Sequence, residues 1–303
     1  MTEVRLLAIG EVMAEIRLGS DGDFVLGFAG DTYNTAVYAA REMQQPGRVG
    51  YVTRVGREPL STALLTQAAA EGLDVDHIAI DDERNIGIYA VATDAHGERS
   101  FSYWRSQSAA RRLFAVEETA LFMPHAEIVY LSGITLAILT PAARMRLFDM
   151  LAGLRQTKGT RVAFDSNFRP ALWEDIATAR ATMARMWEIT DIALPSIDDE
   201  MAISGLDSET AVIERFAGRD WDGIAIKRGV RGPVSPLIAE ADLPEFAPAE
   251  TVVDTTAAGD SFNAGYLAAF LRGAAETERM LAGHRLAARV VGAPGAIMPR
   301  DAC

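Results

Sequence analysis

The sequence holds a single cysteine, Cys303, at its last position. No intramolecular disulfide can form, and the chain reads as one suited to a reducing, cytoplasmic compartment. Long apolar runs are missing too, none approaching the roughly 18 residues of a membrane span. The opening residues, MTEVRLLAIGE, set an acid before a short apolar run, which suits a first β-strand better than a signal peptide. Lysine is nearly absent: of 29 basic residues only Lys158 and Lys227 are lysines. Positive charge as a whole is in deficit, since 42 acidic residues give a formal net charge of −13. Nucleic acid and anionic membranes reward a basic face, so neither is expected as a partner. A small anionic substrate held by local arginines stays open. The four histidines, at 77, 96, 125 and 284, are scattered and none has a neighbour at metal-ligand spacing. The phosphate loop G-x-x-x-x-G-K-[ST] is absent. The nearest approach to an esterase elbow, Gly259-Asp260-Ser261-Phe262-Asn263, ends in Asn where that motif needs Gly.

What is present is an ordinary globular composition, 49 % hydrophobic and 23 % charged over 303 residues, enough to bury a large core. Short β-like runs alternate with longer helical patterns. Strands are expected at 5–11, 128–133, 161–167, 191–196 and 223–229, and helices at 34–43 and 61–73. Each of these strands ends in polar or flexible residues. Strand–helix alternation predicts a mostly parallel sheet with helices on both faces, and in such folds ligands lie beyond the carboxyl ends of the strands. The run IGIYAVATDAHGERSFSYWRS (86–106) departs from this rhythm. It alternates in twos about a turn at Asp94-Ala95-His96-Gly97 and reads as an antiparallel flap. With no repeat and no Gly/Pro/Ser-rich linker, residues 1–303 are expected to form one domain carrying a small β appendage.

The densest signal is DTTAAGDSFNAGY (254–266). Apolar positions 262, 266, 267, 270 and 271 fall on one helical stripe, and Gly273 follows as a stop. The helix therefore begins near Gly259, where free N–H groups and the positive end of the dipole favour an anion. Ala257, Ala258 and Gly259 leave that end sterically open. Asp260 there could accept a proton from an attacking hydroxyl while the amides stabilise a phosphoryl group in transfer. It could equally cap a helix. The residues alone leave both readings open.

This stretch resembles the D-T-x-G/A-A-G-D signature of the ribokinase-like (PfkB) carbohydrate kinases. AGDTYNTAVYAAR (29–41), YVTRVG (51–56), DSNFRP (165–170) and IKRG (226–229) match further family stretches in the same order. GERSFSYWRSQSAA (97–110), YLSGITLAIL (130–139) and DSNFRPALW (165–173) are most similar to the members that act on 2-keto-3-deoxygluconate. The resemblance implies a three-layer α/β/α fold with a β-sheet lid drawn from about 11–30 and 84–108. It implies transfer of phosphate from ATP to the terminal hydroxyl of that sugar acid. ATP and Mg²⁺ are the cofactors it implies, with room for a monovalent cation, and a homo-oligomer, a dimer through the lid or higher, is expected.

Carried over by position, Asp260 is the expected base, and the amides of Ala257, Ala258, Gly259 and Asp260 are the expected anion hole. Gly30, Asp31, Asn34, Tyr89, Tyr103, Arg105 and Arg169 are expected around the sugar. Ser196, Lys227, Gly229, Gly232, Gly259 and His284 are expected around the nucleotide. Arg105 and Arg169 carry the argument for an acid sugar, because arginine grips a carboxylate bidentately. Another family sugar kinase of fructokinase or ribokinase type, or a non-catalytic sugar-acid sensor, are the competing readings. The family's N-x-x-E motif appears as Ser196-Ile197-Asp198-Asp199 followed by Glu200, leaving Asp199 and Glu200 as alternatives. Two prolines in GVRGPVSPLIAEADLP (229–244) stand where a clean hairpin is expected.

Overall fold

A computed structural model describes residues 3–18, 22–46, 48–93, 99–115 and 123–300. Its frame is a parallel sheet of seven strands. In spatial order they are β11 (Gly223–Ile224), β10 (Ile192–Ala193), β9 (Arg161–Asp165), β8 (Ile128–Ser132), β1 (Leu6–Ile9), β4 (Val49–Val55) and β5 (Ile78–Ile80). Successive side chains of a strand point to opposite faces, and here both faces are covered. Leu7 and Ile9 join one core with Val129, Leu131 and Phe164, while Leu6 and Ala8 join another with Tyr51, Tyr130 and Ala163. The first core packs under α3 (Gly133–Ile138), α4 (Pro141–Lys158), α5 (Ile176–Glu188), α6 (Ile197–Ser204) and α7 (Glu209–Phe216). The second packs under α1 (Asp31–Met43), α2 (Pro59–Ala70), α8 (Ala258–Leu271) and α9 (Glu276–Val290). This is the expected three-layer α/β/α arrangement. Continuous apolar strands such as LLAI and IVYLS follow from burial on both sides.

Helix boundaries depart modestly from expectation. α1 begins three residues before the periodic stretch, at Asp31. α2 begins at Pro59 in its first turn, a position where the missing N–H costs nothing.

Four further strands form a separate mixed sheet in the order β3 (Phe24–Ala29), β2 (Met13–Leu18), β6 (Gly87–Thr93) and β7 (Arg99–Trp104). β2 pairs antiparallel with β3 and parallel with β6, and β6 pairs antiparallel with β7. The expected turn 94–97 lies outside the described residues, whereas the two arms flanking it pair as expected. The chain leaves β1 through Glu11 and Val12 and returns at Gly30 directly into α1. A Cβ at Gly30 would collide with the Glu11 carbonyl oxygen, so a residue without a side chain is needed where the two crossings touch.

The clean hairpin expected at 229–244 does not form. Ile226 and Val234 make one antiparallel bridge; short 3-10 turns at Gly229–Arg231 and Glu240–Asp242 follow. Pro233 and Pro236 lack the N–H that a continued ladder would need.

Candidate active site

A cleft of about 1230 Å³ opens where the strand ends, the amino ends of α1 and α8 and the underside of the small sheet converge. Its floor is the start of α8. Ala257 takes a left-handed conformation, φ 62°, just before the first turn, which turns the amides of that turn toward the cleft. No side chain caps this end; the Ala258 amide donates to the Thr255 carbonyl at 3.3 Å, and the Gly259 and Asp260 amides keep their capacity for an anion. A Cβ at Gly259 would meet only Lys227 Nζ, at 3.8 Å; glycine here preserves open space above the backbone.

Asp260 stands in that first turn. Its Oδ2 accepts a 2.8 Å hydrogen bond from Asn34 Nδ2, and its carbonyl accepts one from Thr35 Oγ1 at 3.1 Å. Removal from water and the nearby Asp31 carboxylate push the Asp260 carboxyl up to about 7, against the opposing Asn34 bond. Asp31 is raised by burial as well, and its Oδ2 accepts from Asn167 Nδ2 at 2.8 Å. Asn34 does a second job, accepting from the Gly30 amide at 3.3 Å. α1 and α8 thus hold each other's first turns through side chains that also face the cleft.

Deeper in, Lys227 Nζ donates to Asp165 Oδ2 at 2.6 Å and to Asn263 Oδ1 at 3.1 Å. Asn263 Nδ2 donates to the same Asp165 oxygen at 2.6 Å and to the Tyr130 hydroxyl at 3.0 Å. The lysine is clamped between a strand end and the helix that carries Asp260. Ser196 and Lys227 form a parallel bridge beside it. Asp199 lines the cleft, with Oδ1 3.5 Å from Arg169 Nη1; burial, then Asp165, push its carboxyl up to about 6. Glu200 points the other way, fully buried and 3.4 Å from Arg215. Of the two acids left open by the sequence, Asp199 is the one that faces the cleft.

The roof is an aromatic row. Tyr89 and Tyr103 lie 5.9 Å apart between ring centres, and Phe101 stacks on Tyr103 at 6.3 Å. Arg105 also lines the cleft, but its Nη2 pairs with buried Glu11, whose other oxygen takes the Ser108 hydroxyl. Arg169 donates to the Phe168 carbonyl at 2.9 Å.

Residues 5–303 match the pfkB family of carbohydrate kinases. The chain belongs to that family. It is 37 % identical to the 2-dehydro-3-deoxygluconokinase of Escherichia coli K12, covering 98 % of each chain, and 38 % identical to that of Dickeya dadantii over 100 % of this chain and 99 % of the other. Among solved structures it superposes on the 2-dehydro-3-deoxygluconokinase of Thermotoga maritima with a TM-score of 0.79, at 20 % identity, covering 98 % of this chain and 95 % of that one.

The site of this pfkB-family kinase brings together Gly30, Asp31, Asn34, Tyr89, Tyr103, Arg105, Arg169, Ser196, Lys227 and Ala257 to Asp260. Gly229, Gly232 and His284 are outside the residues that line the cleft. Gly229 and Gly232 have φ of 60° and 75°, and Phe246 packs over Gly232 and lies 5.1 Å from the His284 ring. His284 Nε2 lies 2.6 Å from the Ala247 carbonyl. Sequence reasoning missed Asp165, Asn167, Asn263 and Arg111. The first two stand at the carboxyl end of a predicted strand and Asn263 lies three residues beyond Asp260, so strand-end and helical spacing could have found them. Arg111 carries no such signal. Among the described residues no cluster of three or more His, Cys, Asp or Glu side chains forms a ready-made metal site.

Proposed function

We propose that this carbohydrate kinase phosphorylates the terminal hydroxyl of 2-keto-3-deoxygluconate with ATP, giving the 6-phosphate and ADP. The observation that carries the mechanism is the Asp260 carboxyl, pushed up to about 7 beside an uncapped helix end. Ionised Asp260 takes the proton of the C6 hydroxyl as that oxygen bonds to the γ-phosphorus, and the bond to the β-phosphate oxygen breaks. The amides from Ala257 to Asp260 stabilise charge on the phosphoryl group, and Lys227 supplies a positive charge from below. Asn34 orients Asp260, while Asp31 and Asn167 offer acceptors and donors for sugar hydroxyls. Tyr89, Tyr103 and Phe101 exclude water, which would otherwise hydrolyse ATP.

Magnesium ions bind such sites through one or two carboxylates together with substrate phosphates. Asp199 fits that need: it faces the cleft, and its carboxyl is raised by burial and by Asp165. When bound, Mg²⁺ would neutralise phosphate charge and steady the leaving group.

The partner expected through the lid is a second copy of this chain. Strand pairing sets Ile16, Leu18, Phe24, Leu26, Ile88 and Trp104 on the sheet face away from the cleft. Leu18, Phe24, Leu26 and Trp104 are all at least half exposed. Two such apolar faces meeting about a two-fold axis would cover each other.

ADP release with Mg-ATP tests the reading over a panel of 2-keto-3-deoxygluconate, gluconate, fructose and ribose. Turnover confined to the keto-deoxy acid is expected. Preferred turnover of fructose or ribose would reassign the substrate, and binding of the acid without ADP formation would favour a sensor.

A further inference from the structure

Adjoining the cleft is a second cavity of about 410 Å³ that shares Ser106, Arg111 and Leu172 with it. Arg84 and Arg111 both line this cavity. The guanidinium group of neither has a hydrogen bond or ion pair with any described residue; their backbone amides donate to Asp81 Oδ1 and the Ser108 carbonyl. That is unusual in this chain, whose acids outnumber its bases by 13 and whose arginines are mostly paired. Arg105 pairs with Glu11, Arg112 with Asp81 and Glu83, and Arg54 with Asp81. Asp81 and Glu83 are thus already taken by other arginines, and Glu58 accepts from the Ser61 hydroxyl and the Ile86 amide through Oε1. Among the described residues the one acid in the wall, Glu174, is held by both oxygens on Arg144 Nη2, at 2.9 and 3.0 Å, so its charge is offset. Gln107 and Thr140 add neutral hydrogen-bonding groups to the wall, and Trp173 forms one side.

We propose that this cavity is an anion site, distinct from the phosphoryl site at α8, that takes a small dianion bearing phosphate or two carboxylates. Two guanidinium groups without counter-ions match such a ligand in charge, and a guanidinium can grip a phosphate or carboxylate bidentately. Arg111 belongs to both cavities. An anion in the second one engages Arg111 and removes its positive field from the sugar cleft. The site therefore opposes binding of an acidic sugar, and by reciprocity the sugar opposes the anion. That functional consequence rests on the acid-sugar reading above; occupancy of the site does not.

Occupancy is tested first, without nucleotide or sugar. Inorganic phosphate or malonate is titrated at constant ionic strength into the full chain, and tryptophan fluorescence is read. A saturable change is expected that is lost in Trp173→Phe and in Arg84→Ala. No saturable change, or one that survives in Arg84→Ala, overturns the site. Coupling is tested next by sugar-acid kinetics. Malonate is expected to raise KM about fivefold with kcat unchanged, and Arg84→Ala is expected to keep the malonate-free kinetics and lose the effect. Inhibition that competes only with ATP, or that persists in Arg84→Ala, places the anion at the phosphoryl site and contradicts the coupling. If the wild type fails on every acid while fluorescence still responds, the substrate reading fails and the anion site stands.

Discussion

Asp260 shows how a residue acquires its chemistry from neighbours far away in sequence. Burial raises its carboxyl most, and two residues of the first helix more than 200 positions away then act on it, Asp31 raising it and Asn34 lowering it. If Asp260 is the base proposed above, its raised carboxyl leaves it protonated, and idle, at acidic pH. The kcat/KM for the sugar is expected to rise with pH through an apparent pKa of about 7. Asn34→Ala removes the bond that favours the ionised form, so the inflection is expected to move to higher pH; a profile that stays in place contradicts the assignment. Asp260→Asn, nearly isosteric and unable to take a proton, is expected to lower kcat by about 1000-fold with the sugar still bound. What was legible at this scale was that Asp260 and most residues now seen lining the cleft sit in short motifs. The pairings were not. Nothing in the sequence says that Glu11 occupies Arg105, or that Lys227 spans Asp165 and Asn263, since those partners meet only through the fold.

Among the elements, the amino end of α8 carries the account. Apolar spacing from Phe262 and the stop at Gly273 were enough to fix this helix in advance, and it runs from Ala258 to Leu271. The left-handed residue before it was not legible, because alanine rarely adopts that conformation and only the packed loop imposes it. Gly259→Ala separates space from stability here. A Cβ at this position makes only an ordinary contact with Lys227, so the melting temperature is expected to stay within about 2 °C of wild type. It intrudes where the phosphoryl group must approach the amides, so kcat is expected to fall about 100-fold. Full activity in a folded Gly259→Ala protein would show that phosphate does not use this helix end. The loop at 229–244 is the opposite case: its prolines put the expected hairpin in doubt, but gave no sign of the packing of Phe246 on Gly232.

At the scale of the molecule, the parallel sheet follows from strand–helix alternation, and its order follows from long-range pairing that no local pattern encodes. The lid was half legible. Alternation revealed β6 and β7, whereas the parallel pairing of β2 with β6 joins segments some 70 residues apart and has no local signal. The same pairing gathers an exposed apolar face on the lid. Phe24→Asp together with Trp104→Asp is expected to convert a dimer to monomer in sedimentation analysis while leaving thermal stability close to wild type. A wild-type protein that sediments as a monomer at micromolar concentration would remove the lid dimer.

On the proposed mechanism a phosphoryl group passes from ATP to the terminal oxygen of a keto-deoxy sugar acid above Asp260. Phosphorus-coupled proton NMR of the product made from 2-keto-3-deoxygluconate and Mg-ATP tests it most directly. The expected product is a phosphate monoester whose phosphorus couples to the two C6 protons, formed by wild type and not by Asp260→Asn. A phosphate on any other carbon, or the same product from Asp260→Asn at the wild-type rate, would contradict it.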